Sequence, residues 1–231
     1  MTALETLFPD ASYIAEAEAR LVDEELLPEE WAFIQGAVPK RRAEFGTARV
    51  CARRGFAALG IPPAPIVPVE QGMPTWPRGV AGSISHASPQ ARANANANDQ
   101  HAGGAYCAVV LYRSPPVRSV GLDVEIVQEL EPGVLDLILT SNERAWLRAQ
   151  GATLEASLPL VFFSAKEAYY KCQFPISRTF LDFVDVELEI FADALRFVAH
   201  ARRPGLPREV VRLEGRYAFE TGRLLSGVVL R

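Results

Sequence analysis

The chain predicts an α+β fold, because helical and strand-like stretches come in blocks rather than in strict alternation. A helical block before residue 60 is followed by strand-like runs to residue 127. A second helical block, over residues 140–174, is followed by strand-like runs to the C-terminus. The two halves thus repeat one order, helices then strands, with a boundary near residue 120 that gives segments 1–119 and 120–231. No shorter period of the solenoid kind is present.

Each element has a local reason. Residues 12–22 (SYIAEAEARLV) fit either a strand or a short helix. Pro28-Glu29-Glu30 opens a helix, since proline suits the first turn and acids suit the positive N-terminal end. That helix is expected to run to Leu59, with a break near Val38-Pro39, and Gly60 stops it. Residues 61–79, rich in proline and glycine, read as an extended surface segment. Val80–His86 reads as a strand, residues 87–104 as a low-complexity hairpin loop, and Ala105–Arg113 as a buried strand. Ser114-Pro115-Pro116 turns the chain into a strand over Val117–Val127. Thr140-Ser141-Asn142-Glu143 has the pattern of a capping box ahead of a helix to Gln150. Ser157–Phe174 forms the next helix. From Asp182 the runs DFVDVELEI, ALRFVAHA, EVVRLEGRYAFE and RLLSGVVL are strand-like, and Thr221-Gly222 turns the last hairpin.

Composition narrows the function. The 231 residues, 49% of them hydrophobic, suffice for a large core. A net charge of −4 disfavours a general nucleic-acid binder. Three cysteines, Cys51, Cys107 and Cys172, lie far apart and in no CxxC pair. This argues against a disulfide framework or a zinc site and for a reducing cytoplasm. The N-terminus lacks the pattern of a secretory signal, and no apolar stretch approaches the ~20 residues of a membrane span.

Four segments carry chemistry. In Val120-Gly121-Leu122-Asp123-Val124-Glu125 the two acids stand at i and i+2 of a strand and project from one face. Like charges so placed repel unless a cation joins them, and Mg²⁺ takes such carboxylates together with substrate phosphates. A solvated strand face would show the same pattern. In Phe162-Phe-Ser-Ala-Lys166-Glu167-Ala-Tyr-Tyr-Lys171, Glu167 and Lys171 share one helical face. They read as a third carboxylate or general base and as a phosphate-binding cation, or else as an ordinary surface pair. Lys166, about 100° round the helix, is placed at the edge of the same pocket. Gly82-Ser83-Ile84-Ser85-His86 ends a strand with hydrogen-bond donors suited to phosphate. Ser85 and His86 point to opposite faces, which argues against a serine–histidine nucleophile pair. Finally, Lys40, Arg41, Arg42, Arg49, Arg53 and Arg54 form a basic helix, with Arg42, Arg49 and Arg53 on one stripe. It serves as a phosphate-binding surface or as a solvated face paired with Glu44.

The order of these motifs, RRxEFxxxR, then WPxGxxGSxSH, GxDxE and FSAKEAxYK, resembles the 4′-phosphopantetheinyl transferase superfamily. The likeness is to its larger, pseudo-dimeric class, which includes enterobactin-type and mycobacterial enzymes, and it covers roughly residues 39–191. The resemblance implies two similar α/β halves packed with pseudo-twofold symmetry, the active site in the cleft between them. It implies transfer of 4′-phosphopantetheine from coenzyme A to a serine of an apo acyl or peptidyl carrier protein, leaving 3′,5′-ADP. By the same resemblance Asp123, Glu125 and Glu167 hold Mg²⁺ (or Mn²⁺), and Glu167 is the general base. Lys171 contacts the α-phosphate region and Lys166 also faces the coenzyme. Ser85 and His86 bind the diphosphate, His86 also stabilising the leaving group, and Arg41 and Arg49 hold the 3′-phosphoadenosine end. A cytoplasmic monomer that acts on fatty-acid, polyketide, nonribosomal-peptide or siderophore carriers is expected. A metal-dependent phosphodiesterase or pyrophosphatase acting on coenzyme A, and a non-catalytic coenzyme-binding relative, are the alternatives. The chain departs from the family in lacking a basic residue over Val67–Gln71 and in the length of the 87–104 segment.

Overall fold

The computed structural model describes residues 1–89, 105–128, 130, 133–149 and 157–231. The expected hairpin loop over 87–104 lies outside these residues beyond Pro89. Among the described residues the strands form two sheets. The first has the order β1-β3-β2, with β1 at Tyr13–Glu18, β2 at Val80–Ala87 and β3 at Tyr106–Arg113. The second has the order β4-β8-β7-β6-β5, from β4 (Ser119–Ile126), β5 (Val186–Phe191), β6 (Arg196–Ala201), β7 (Arg212–Glu220) and β8 (Arg223–Leu230). All pairings within the sheets are antiparallel. The mixed α+β class and the two-part arrangement are as the sequence implied.

Each sheet carries one long helix. The 20-residue α3 (Pro39–Ala58) packs on the first sheet, and the 20-residue α6 (Leu158–Ser177) on the second. Both have proline in the first turn, where its missing N–H costs no hydrogen bond. Strand β3 shows how alternation builds the layers. Cys107, Val109 and Leu111 face Ala48, Ala52 and Phe56 of α3. Ala108, Val110 and Tyr112 face the other way, into a core shared with Val120, Leu122 and Val124 of β4. A helix the sequence had not announced, α1 (Ala3–Leu7), is held by a Thr2–Glu5 capping box and covers this core with Leu4, Leu7 and Phe8.

Several local expectations are refined. Residues 13–18 are strand, because Tyr13, Ala15 and Ala17 pack toward the α3 side. The early helix is two helices, α2 (Pro28–Ile34) and α3, and Gly60 takes a positive φ of 68° just past α3. Glu30 caps the start of α2 and anchors the 61–79 segment. Its fully buried carboxylate accepts from Leu27 N at 3.1 Å, from Ile66 N at 3.0 Å and from the Arg53 guanidinium. The capping box at Thr140 and Glu143 forms as read, opening α5 (Ser141–Ala149) after the short α4 (Val134–Ile138). The EVV of the expected strand is instead a short helix, α7 (Arg208–Val211). Thr221 and Gly222, at φ 50° and 72°, make the two-residue turn between β7 and β8. No helix among the described residues is long and apolar enough to cross a membrane.

Candidate active site between the two sheets

Strands β2 and β4 run side by side where the two sheets meet, and side chains rather than a backbone ladder join them. Ser83 Oγ accepts from Leu122 N at 3.0 Å, and Ser85 Oγ from Val124 N at 3.1 Å. On the other side of β4, α6 lies very close. A Cβ at Gly121 would meet the Ala168 carbonyl oxygen at 1.8 Å and Cys172 N at 2.8 Å. Ala165, Ala168 and Cys172 supply the small, fully buried face that permits this approach. Gly121, Asp123 and Glu125 share one face of β4 by the period of two, so the approach brings both acids beside Glu167 and Lys171.

Lys171 is the centre of this cluster. Its Nζ donates to Asp123 Oδ1 at 2.7 Å and to Ser85 Oγ at 3.1 Å. Burial alone would lower the ammonium's pKa, but Asp123, Glu167 and Glu125 outweigh it and raise the pKa. Asp123 is buried, and its Oδ2 accepts no hydrogen bond. Burial first, and Asp123 next, push the Glu125 carboxyl up to about 8. Burial also raises Glu167, with Asp123 adding and Lys171 opposing. The acids surround Lys171: no three His, Cys, Asp or Glu side chains among the described residues are gathered into a metal shell. Their chemistry nevertheless fits a hard divalent cation, with oxygen donors only and one buried carboxylate oxygen still without a partner.

On the opposite face of β2, His86 meets α3. Arg41 Nη1 lies 2.8 Å from His86 Nε2, and Glu44 Oε2 lies 3.7 Å from His86 Nδ1 and 3.8 Å from Arg41 Nη1. Burial lowers the His86 pKa, with Arg41 adding and Glu44 opposing. Ser88 Oγ donates to Glu44 at 2.6 Å. This gathers Arg41 and Glu44 with His86, 45 residues beyond Arg41, into one polar cluster.

A cleft of about 180 Å³ adjoins Lys171. Gln71–Pro74, Trp76 and Gly82–Ile84 line it from one side, and Glu167, Tyr170, Phe174 and Pro175 from the other. Sequence reasoning missed its apolar wall. Tyr170 stands inside the KEAxYK motif, and its hydroxyl is buried without a hydrogen-bond partner. Trp76 belongs to the WPxG segment and packs on Gly82, where a Cβ would meet its ring at 3.0 Å. Gln71 occupies the stretch that lacks a basic residue.

Other residues fall elsewhere than expected. Lys166 does not face the cleft with its charge. It is 2% exposed and spends its three donors on Glu143 Oε2 at 2.7 Å, Ile138 O at 2.8 Å and Phe183 O at 2.9 Å. The step from Glu167 to Lys166 turns that side chain inward, toward α4 and α5. Glu143 completes the buried pair by accepting from Leu188 N at 2.7 Å. The basic stripe is likewise drawn into internal contacts. Arg42 bonds Asp23 at 2.6 Å, Arg53 pairs with Glu30, and Arg49 is buried with Nε on Ile66 O at 3.1 Å and its guanidinium stacked on Phe45. Burial lowers the Arg49 guanidinium to about 9. All three cysteines are free and buried.

Comparison with known proteins identifies the family. The 4′-phosphopantetheinyl transferase N-terminal domain family matches residues 29–95, and the 4′-phosphopantetheinyl transferase superfamily matches residues 119–213. The chain is 36% identical to the 4′-phosphopantetheinyl transferase Svp of Streptomyces mobaraensis over 209 residues, 89% of this chain and 78% of that protein. It is 36% identical to the 4′-phosphopantetheinyl transferase PptT of Mycobacterium tuberculosis over 234 residues, 97% of this chain and 94% of that protein. Enterobactin synthase component D of Salmonella typhi is 31% identical over 144 residues, 60% of this chain and 50% of that protein. None of these relatives is named as a phosphodiesterase or as a non-catalytic binding protein. The chain belongs to the 4′-phosphopantetheinyl transferase superfamily, in its larger, two-part class.

Proposed function

We propose that Asp123, Glu125, Glu167 and Lys171 carry out the family's reaction here, moving the 4′-phosphopantetheine arm of coenzyme A to a serine of an apo acyl or peptidyl carrier protein. The observation that carries this reading is the Lys171 ammonium. It is bound to Asp123 Oδ1 at 2.7 Å, flanked by Glu167, and adjoins an apolar cleft. A phosphate placed there meets a cation, and the pantetheine arm meets Trp76, Tyr170 and Phe174.

Mg²⁺ bound at Asp123, Glu125 and Glu167 would neutralise diphosphate charge. The protein's own groups do the rest. Glu167, on the cleft wall, accepts the proton of the carrier serine as its oxygen attacks the β-phosphorus. The bond from that phosphorus to the oxygen of 3′,5′-ADP breaks, and the electron pair leaves with the nucleotide. Lys171 has two donors on Asp123 and Ser85 and directs its third at the phosphate, where negative charge develops. Arg41 and His86 bind the nucleotide phosphates at the α3 end, while Arg49, buried against Ile66 and Phe45, supports that helix from within. Positioning and electrostatics supply most of the acceleration in such transfers.

The test is direct. The protein, coenzyme A, Mg²⁺ and an apo carrier give a carrier heavier by one phosphopantetheine in mass spectrometry. Asp123→Ala and Glu167→Ala each abolish that gain. Transfer at the normal rate by either variant overturns the assignment. A panel of apo carriers from fatty-acid, polyketide, nonribosomal-peptide and siderophore systems identifies the partner.

A further inference from the structure

We propose that Glu44 is a positioning residue: its carboxylate holds Arg41 and His86 in the arrangement that receives the nucleotide phosphates, and allows His86 to take up a proton as they bind. Glu44 is 5% exposed, so its charge must be satisfied from within the fold. Ser88 Oγ donates to Oε1 at 2.6 Å. The other oxygen, Oε2, lies 3.7 Å from His86 Nδ1 and 3.8 Å from Arg41 Nη1, within ion-pair range of both. The main chain of the residue is fixed as well. Its carbonyl accepts from Cys107 Sγ at 3.5 Å, and Cys107 stands directly opposite His86 in the β2–β3 register. Glu44 is thereby held against the strand pair that carries the histidine.

The contact between Arg41 and His86 fixes where the hydrogen on the ring is. A guanidinium has donors only, so across the 2.8 Å contact Arg41 Nη1 donates and His86 Nε2 accepts. The ring of the free protein is therefore neutral, with its hydrogen on Nδ1, the side that faces Glu44. A phosphate oxygen accepts, so a His86 that binds one must carry hydrogen on Nε2. It could gain this by moving the Nδ1 hydrogen or by taking a proton from solvent. Glu44 decides between the two. A bare Nδ1 would set its lone pair against the carboxylate, so Nδ1 keeps its hydrogen and the ring becomes an imidazolium. That cation stands beside the Arg41 guanidinium, and Glu44 offsets the repulsion by facing both. Arg41 and Arg49 of α3 and Lys171 of α6 oppose the protonation of His86, and Glu44 favours it.

This role rests on the assignment of Arg41 and His86 to the coenzyme phosphates, and the experiment separates the two claims. Steady-state transfer to an apo carrier is measured with coenzyme A varied, for Glu44→Gln, Glu44→Asp, His86→Gln, Arg41→Ala and the double variant Glu44→Gln with His86→Gln. Glu44→Gln keeps the volume and an acceptor for Ser88. It is expected to raise KM for coenzyme A about 10-fold, with kcat changed by less than about threefold. Glu44→Asp, which keeps the charge, recovers part of that affinity. In the double variant the glutamine at 44 adds less than about threefold to the effect of His86→Gln, because most of its action passes through the ring. Imidazole nitrogen NMR reads the ring itself, the His86 signals being assigned by their loss in His86→Gln. The free protein shows the Nδ1–H form, and coenzyme A with Mg²⁺ converts it to imidazolium in the original protein but not in Glu44→Gln. The spectra of the original protein stand even where a variant folds poorly. An Nε2–H ring in the free protein overturns the proposal. So does a KM left unchanged or lowered in Glu44→Gln while His86→Gln raises it, and so do losses that simply multiply in the double variant. An unchanged KM in both His86→Gln and Arg41→Ala overturns instead the assignment of the phosphates to that pair.

Discussion

Substituting Gly121 by alanine tests how closely the helix must approach for the site to form. The added Cβ would stand 1.8 Å from the Ala168 carbonyl oxygen and 2.8 Å from Cys172 N, which belong to one turn of α6. Both are backbone atoms, so no side chain can rotate away. To restore a contact of 3.0 Å the turn must retreat by roughly 1.2 Å, a distance fixed by the present 1.8 Å. That turn carries Glu167 and Lys171, each one residue before an atom in collision. The Lys171–Asp123 bond of 2.7 Å, lengthened by such a retreat, passes beyond hydrogen-bonding reach. Overpacking of this kind costs about 1–3 kcal/mol of stability. In a protein of this size that lowers the melting temperature by about 2–4 °C per kcal/mol. A misplacement near 1 Å is also expected to reduce transfer about 10²-fold. Thermal melts and the carrier mass-shift assay, run on the soluble folded fraction, measure the two effects separately. A Gly121→Ala variant that transfers at the original rate would refute the claim that this close packing places the catalytic groups.

Three further outcomes follow from buried or shifted groups. Lys166→Met leaves Glu143 charged and unpaired in the core, and should destabilise the fold by about 3–5 kcal/mol. KM for coenzyme A in the folded fraction should stay unchanged, whereas a raised KM would restore Lys166 to the coenzyme. His86 has its pKa held below the ordinary 6.5, chiefly by burial, so its neutral form is the one the fold favours. The stability so gained is complete above that pH and is lost as pH falls through it toward the folded value. Glu44, Arg41, Lys171 and Arg49 face it. Melting temperature should therefore fall less in His86→Gln than in the original protein between about pH 6.5 and 5, and parallel curves would contradict the shift. Burial raises all three thiols, Cys107 and Cys172 to about 12. None should react with a thiol reagent in the native state and all three should after denaturation. Rapid native labelling would show that the α3 or α6 layer opens.

The primary structure determined the local patterns. Proline-opened helices, the Thr140–Glu143 capping box, the Thr221-Gly222 turn and the period-two strands are each decided by neighbours a few residues apart, and local sterics and hydrogen bonding suffice to read them. The same holds for the pairing of Asp123 with Glu125 on one strand face and of Glu167 with Lys171 on one helix face. The tertiary structure alone decided which charges remain for chemistry. Lys166 and Lys171 are both lysines of one motif, yet one is consumed by Glu143, Ile138 and Phe183, while the other keeps its place among the acids. Likewise Arg42, Arg49 and Arg53 form a basic stripe in sequence, and Asp23, Ile66 and Glu30 claim them in space. Helical and strand periodicity state the direction of a side chain relative to its own element. They do not state what stands opposite, because partners such as Glu143 and Lys166, or Ser85 and Asp123, are set by the docking of distant segments, and a desolvated charge takes whatever counter-charge that docking provides.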